Sequence, residues 1–308
     1  MARGRFAPSP TGPLHLGHAQ TMLLGWLQIR ALGGQFVLRI EDIDRARCKP
    51  AASEAIVRDL DWLGFDWDEG PDVGGPFGSY VQSERFDAYR DAVARLGDRT
   101  FRCTCSRKEM RAAAGAPDPE TGEWPYAGTC RAGESHPGRP ASIRARVEPE
   151  LVRWSDQWQG PCAQDPSRVC GDFILWSKAD EPTYQLAVVV DDIHQRITHV
   201  LRGEDLLTST ARQLLLYRWL DAPAPVHAHT PLRRDDDGQR LAKSRGSAGL
   251  GELREAGVDP RAVLGRLAAG LGILETPTPV TPVDLIEPFR RWPSAARLLT
   301  LPPALDPM

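Results

Sequence analysis

From His18 onward the apolar residues Met22, Leu23, Trp26, Leu27 and Ile29 return with helical spacing, and the pattern stops at Gly33-Gly34, a pair suited to a helix C-terminus. Ahead of it Arg5-Phe6-Ala7 reads as a short strand, and Pro8-Ser9-Pro10-Thr11-Gly12-Pro13 cannot be regular structure. Phe36–Ile40 is a strand of the type buried on both faces. Strand, helix and strand in this order form a βαβ unit, whose crossover should be right-handed. Helices are expected over Ala51–Leu63 and Ser83–Leu96. Residues 98–180 then change character: five of the six cysteines lie there among many Pro and Gly, with short strand candidates at Ala141–Val147 and Asp172–Trp176. This reads as an insertion lying over the sheet edge. Regular α/β patterning resumes at Tyr184–Val190, Ile197–Leu201 (a strand) and Ser209–Leu220 (a helix). After the turn at Asp235-Asp236-Asp237-Gly238 comes Arg240–Ser244, and then short helices punctuated by Pro277, Pro279, Pro282, Pro288 and Pro293, with a linker at 276–282.

The pattern predicts an α/β protein with a Rossmann-type parallel sheet in two halves, 1–97 and 181–232, an insertion at 98–180, and a loop with trailing helices at 233–308. Length permits one large domain with one or two smaller modules. The apolar share of 41% and charged share of 26% are ordinary for a soluble protein, which excludes collagenous and wholly disordered classes. Apolar runs such as Leu186–Val190 fall far short of the roughly 20 residues a bilayer span needs, and no apolar signal core follows Met1. The expectation is a cytoplasmic protein. A formal net charge of −3 does not point to a nucleic-acid partner, so any RNA contact would use local basic patches such as Arg102–Arg111 or Arg233–Arg245. In a reducing compartment the cysteines are thiols or metal ligands rather than disulfides.

His15-Leu16-Gly17-His18 sits where a loop enters a helix. Free N–H groups and the helix dipole suit phosphate there, Gly17 permits close approach, and His15 and His18 share a helical face from which both can donate to phosphate oxygens. The same two histidines would equally serve to cap and solvate a helix start. Far downstream, Arg240 and Lys243 lie three positions apart in a loop rich in Asp, Gly and Ser that can neutralise a leaving pyrophosphate; a hydrophilic hairpin explains that composition as well. Together, in this order and in an α/β chain, the two segments resemble the HIGH and KMSKS signatures of class I aminoacyl-tRNA synthetases. Arg5–Gly12, Arg39-Ile40-Glu41-Asp42-Ile43-Asp44, Tyr184 before Ala187–Asp192, and Thr198–Asp205 resemble the glutamyl branch, and the matches run from residue 5 to about 245.

That resemblance implies attack of a glutamate carboxylate on the α-phosphate of ATP. Arg5, Phe6, Ala7, Pro8 and Ser9 would line the amino-acid pocket, with Arg5 and Arg202 as forked partners for carboxylates, Glu41 for the ammonium, and Tyr184 completing it. His15, Gly17, His18 and Lys243 would hold ATP, with Mg2+ sharing the charge. An Arg at a strand end, such as Arg39 or Arg202, is also often a structural ion pair, and Glu41 can be a helix-capping partner. Arg240 and Ala242 stand where the KMSKS pattern has lysine and serine; Lys243 is retained.

Cys103-Thr104-Cys105 with Cys130 offers three ligands for zinc. The arrangement Cys-x-Cys…Tyr-x-x-x-Cys resembles that of the glutamyl-Q tRNA(Asp) synthetases, which implies Tyr126 as the fourth ligand of one structural zinc; His136 is the competing candidate, and free thiols need no metal. Cys48, Cys162 and Cys170 read as ordinary thiols. The stretch after Ser244 has length for a stem-contacting helical region and not for an anticodon-binding domain, which again resembles that family. The family implies L-glutamate, ATP and queuosine-bearing tRNA(Asp) as partners, a monomer, and transfer of glutamate to the modified base. Three alternatives stay open: a shortened conventional glutamyl-tRNA synthetase, a nucleotidyltransferase or ligase acting on a small acceptor, and a non-catalytic tRNA-binding paralogue.

Overall fold

A computed structural model describes residues 1–119, 121–231 and 249–300. Its nine described strands are β1 (Arg3–Phe6), β2 (Gln35–Leu38), β3 (Thr100–Cys103), β4 (Ser142–Ala145), β5 (Val152–Asp156), β6 (Gly160–Gln164), β7 (Ile174–Trp176), β8 (His199–Gly203) and β9 (Val226–Thr230). Six of them form one sheet in the order β2-β1-β8-β9-β5-β6, parallel except for the β5–β6 hairpin. A smaller antiparallel sheet runs β3-β4-β7.

The helices are α1 (Leu16–Ala31), α2 (Pro50–Trp62), α3 (Phe86–Leu96), α4 (Arg107–Ala114), α5 (Pro166–Val169), α6 (Tyr184–His194), α7 (Thr210–Trp219), α8 (Leu250–Glu255), α9 (Pro260–Gly270), α10 (Ile286–Arg291) and α11 (Ala295–Leu298). None of the described helices is long and apolar enough to cross a membrane. Alternate strand residues go to opposite faces, so Phe36 and Leu38 join the core around α1, whereas Val37 and Val200 join a separate cluster with Tyr80. The sheet is therefore buried on both sides, which is why Phe36–Leu38 carries no polar alternation. Helix α1 is buried over most of its length, Gln28 included, because the C-terminal helices cover its outer side: the Gln28 amide donates to the Leu298 carbonyl at 2.8 Å. It ends at Ala31 with Leu32 as its cap, and Gly33 just beyond takes φ +65°, as the glycine pair predicts.

Several details differ from the pattern reading. Strand β2 ends at Leu38: the Arg39 amide still donates to Phe6 O of β1 at 3.0 Å, but the Ile40 amide donates to Tyr80 O at 2.8 Å, outside the ladder. The helix expected from Ser83 starts at Phe86, after a 3-10 turn at Gln82–Glu84. Tyr184–Val190 lies in a helix whose buried face includes Asp191 and Asp192. Within 98–180, β5 and β6 extend the main sheet, with Asp156 paired to His227 of β9, while β3, β4 and β7 form the second sheet and carry the cysteine segment.

Candidate active site

Parallel strands bring functional groups together at their C-terminal ends, outside the sheet. Arg5 near the end of β1, Arg202 near the end of β8, Tyr184 at the start of α6 and Glu41 after β2 converge there. Next to Glu41 and Tyr184 lies a cleft of about 340 Å³, also lined by Ser9, Thr11 and Gln82. The five-residue run from Arg5 divides: Arg5 is buried against Asp192, Ser9 reaches the cleft, and the Phe6 ring packs in the α1 core. Pro8 serves by its backbone, accepting the Glu41 amide at 3.0 Å, and Ala7 is half-buried.

Two buried arginines, Arg39 just past β2 and Arg202 in β8, have opposite surroundings. Arg39 is fully buried, with Nη1 2.8 Å from Asp192, Nη2 3.1 Å from Glu41 and Nε 3.7 Å from Asp191. For Arg39 the structural ion-pair reading holds, and Glu41 pairs with it rather than capping a helix. Arg202 is 4% exposed, and among the described residues no carboxylate pairs with it. Its Nε donates to His229 Nε2 at 2.9 Å, Nη1 to Tyr184 Oη at 3.3 Å, and Nη2 to Thr210 Oγ1 at 3.0 Å. A buried guanidinium held only by neutral groups favours an incoming anion. Burial pushes the Glu41 carboxyl up despite Arg39 and Arg5, whereas for Asp192 those arginines overcome burial and hold it below its ordinary value.

Sequence reasoning passed over Asp191, Asp192, Asp156 and His229 as site groups. Asp191 takes Arg85 Nε at 2.7 Å and Gln82 Nε2 at 2.7 Å, and Asp192 takes Arg39 and Arg5. Two adjacent acids inside an apolar helix were the available signal, since buried acids require partners. Asp42 accepts from the Ser83 amide and hydroxyl at 2.8 and 2.7 Å, and Asp44 pairs with Arg47 on the lining of the cleft.

At the other end of the site His15 is the N-cap of α1. Its Nδ1 accepts from the Gly17 amide at 3.1 Å, its amide donates to His18 Nδ1 at 3.2 Å, and the rings stand 3.8 Å apart. The capping reading of the two histidines is thus realised. Gly17 leaves room for it, since a Cβ there would lie 2.9 Å from the His15 ring and displace it. The Leu250 amide donates to Leu14 O at 2.8 Å, so the chain rejoins beside this loop after 232–248. Lys243, with Arg240 and Ala242, lies outside the described residues.

The cysteine segment folds into a compact cluster. Cys103, Cys105 and Cys130 are buried with all three sulfurs within 4.8 Å of one another. Tyr126 Oη lies 3.3 Å from Cys103 Sγ and 3.9 Å from Cys105 Sγ, and it accepts the Cys130 amide at 2.8 Å. His136 instead directs Nε2 to Glu109 at 2.9 Å. Sulfurs about 3.8 Å apart are what a tetrahedral ion with ~2.3 Å bonds requires, and Cys105 and Cys130 stand 3.5 Å apart. Three thiols and a phenol oxygen therefore suit a zinc-sized ion. Burial works against the Cys130 thiolate, but hydrogen bonds from Ser135, Thr104 and Tyr126 bring its pKa down to about 5. Burial pushes the Cys170 thiol up to about 12, as befits an ordinary thiol.

Fold and cleft together define the catalytic domain of a class I tRNA synthetase. Residues 1–275 match the profile of the family described as tRNA synthetases class I (E and Q), catalytic domain, and the chain belongs to that family. Within it the chain is 49% identical to the Glutamyl-Q tRNA(Asp) synthetase of Symbiobacterium thermophilum, over 94% of this chain and 92% of that protein. The corresponding figures for the Glutamyl-Q tRNA(Asp) synthetase of Nitratidesulfovibrio vulgaris are 45%, 93% and 91%, and this chain belongs with those proteins. Against the Glutamate–tRNA ligase of S. thermophilum it is 41% identical, over 85% of this chain but 56% of the ligase. A solved glutamate tRNA ligase from Elizabethkingia meningosepticum, in complex with its amino acid, superposes with a TM-score of 0.77 at 30% identity, over 93% of this chain and 64% of the ligase. The chain thus spans less than two thirds of that ligase.

Proposed function

We propose that this protein activates L-glutamate with ATP and Mg2+ to glutamyl-adenylate and transfers the glutamate to the queuosine base in the anticodon loop of tRNA(Asp). The observation that carries the reading is Arg202: a buried cation whose hydrogen bonds, among the described residues, go to neutral groups, beside Tyr184 at the cleft, in a chain similar over nearly its whole length to glutamyl-Q tRNA(Asp) synthetases. Arg202 and Arg5 take the carboxylates of the amino acid, and Glu41 takes its ammonium. Placing an ammonium beside Glu41 favours the ionised carboxylate that burial alone opposes.

In the first step an α-carboxylate oxygen attacks the α-phosphorus, and pyrophosphate leaves. In the second, a nucleophile of the acceptor base attacks the acyl carbon and AMP leaves. Such chemistry rests on positioning and charge stabilisation. His15, Gly17, His18 and Lys243 are assigned to the ATP phosphates, and the mutual cap of His15 and His18 holds both rings at the helix N-terminus. Cys103, Cys105, Cys130 and Tyr126 are assigned to one structural zinc, which when bound cross-links a segment whose own apolar cluster is small.

Purified protein, radiolabelled glutamate, ATP and tRNA(Asp) with or without queuosine test the reading. Label that requires queuosine and survives periodate oxidation of the tRNA 3′ end is expected. Label lost on 3′ oxidation, or equally strong on tRNA(Glu), would establish a conventional ligase instead, and glutamate-dependent pyrophosphate exchange without RNA label would leave a small acceptor.

A further inference from the structure

Arg202 is not far from a negative charge; it is separated from one by a single imidazole. His229 Nε2 receives the Arg202 Nε–H at 2.9 Å, and on its other side His229 Nδ1 lies 2.5 Å from Asp156 Oδ2. The second Asp156 oxygen accepts the amides of Trp158 at 3.0 Å, Gln159 at 2.9 Å and His229 itself at 3.1 Å. Three parallel strands set this row. Arg202 of β8 is the direct register partner of His229 of β9, and Asp156 comes from β5, paired to β9 two residues away.

The proton positions follow from the donors available. A guanidinium has only N–H groups, so His229 Nε2 must present its lone pair, and the ring proton sits on Nδ1, facing Asp156. The ring is then neutral, and burial, with the positive charge of Arg202, holds its pKa below the ordinary value despite Asp156.

We infer that His229 is a positioning residue, a neutral spacer that lets Asp156 fix the direction of Arg202 without cancelling the positive charge Arg202 offers to the substrate carboxylate. Arg39 shows the alternative outcome, since its direct contacts with Asp192 and Glu41 leave it matched by carboxylates. At Arg202 the acid of this row, Asp156, is held off by the width of a ring, so the buried cation is answered directly when an anionic side chain enters. The arrangement discriminates glutamate from glutamine by charge. It rests on the reading of Arg202 as a receiver of a glutamate carboxylate.

Glutamate-dependent pyrophosphate–ATP exchange on the intact chain tests it, with wild type, His229→Ala, His229→Gln and His229→Glu compared for glutamate and glutamine. His229→Ala should raise KM for glutamate on the order of 10- to 100-fold, with kcat changed only a few-fold. His229→Gln, which places an amide oxygen near Nε2, should recover most of that loss. His229→Glu should collapse the glutamate-to-glutamine ratio of kcat/KM, because it puts a carboxylate against Arg202. That ratio is insensitive to partial unfolding, which lowers the active fraction equally for both amino acids. An unchanged KM in His229→Ala, equal losses of kcat in the Ala and Gln variants, or an unchanged ratio in His229→Glu would overturn the inference while leaving glutamate activation intact. A folded wild type that exchanges no pyrophosphate with glutamate would overturn the glutamate reading and this inference with it.

Discussion

Replacing Arg39 by methionine removes the cation from the middle of the buried charge cluster, and the loss falls on one identifiable group. Asp191 keeps Arg85 at 2.7 Å, Gln82 at 2.7 Å and the Tyr89 hydroxyl at 3.0 Å. Asp192 keeps Arg5 at 3.5 Å and the Tyr217 hydroxyl at 3.3 Å. Glu41 has no other ion pair among the described residues, so Arg39→Met strands one buried carboxylate. At 3.1 Å and an effective dielectric constant of about 20, the lost attraction is about 5 kcal/mol. That agrees with the roughly 3–5 kcal/mol measured when one partner of a buried pair is removed. With a urea slope of about 3 kcal/mol/M, the unfolding midpoint should fall by roughly 1–1.7 M. Adding Glu41→Gln should return most of this, because it removes the stranded charge. Burial raises the Glu41 carboxyl in the native state, so the native protein binds the proton at a higher pH than the unfolded chain does. The variant should therefore be penalised least below the unfolded carboxyl pKa, near 4.3, and most as pH rises through the native one. A midpoint unmoved in Arg39→Met, or a double variant no more stable than the single one, would refute the reasoning.

Arg202→Met should raise KM for glutamate by roughly 30-fold or more, the range of about 2–5 kcal/mol for truncating a desolvated charge partner, and pyrophosphate exchange measures it; an unchanged KM would remove Arg202 from the pocket. The zinc assignment predicts one metal ion per chain by elemental analysis, lost in Cys130→Ser and released faster to a chromophoric chelator in Tyr126→Phe. Arg144 lies with its guanidinium 3.9 Å from the Tyr126 ring centroid, so Arg144→Met should weaken metal retention by about 10- to 100-fold, and equal release rates would refute that. Burial lowers the pKa of His199 to about 4, so its contribution to stability is complete above about 6.5 and is lost as pH falls toward 4. His199→Leu should flatten the fall in melting temperature between pH 7 and 5, and parallel curves for the two proteins would refute it.

The sequence exposed those parts of the site that are contiguous in the chain. His15 to His18 sit at the start of a helix whose apolar period is plain, and Cys103, Cys105 and Cys130 lie close enough together for spacing to mark them as candidate ligands, with zinc itself implied by the resemblance. Glu41 and Arg202 were visible only through resemblance, because a charged residue at a strand end looks the same whether it meets a partner or a ligand. The structure separates the cases by what surrounds each guanidinium: three acids around Arg39, a histidine beside Arg202. Asp156 was hidden for a different reason. It belongs to a hairpin with weak alternation in a Pro- and Gly-rich stretch, and its place beside His229 depends on β5 pairing with a strand some 70 residues later. No local period encodes that pairing, since cross-strand register is set by burial and tertiary packing. The residues that tune the charge of this pocket are therefore the ones that pattern and motif leave unmarked, and the fold is needed to find them.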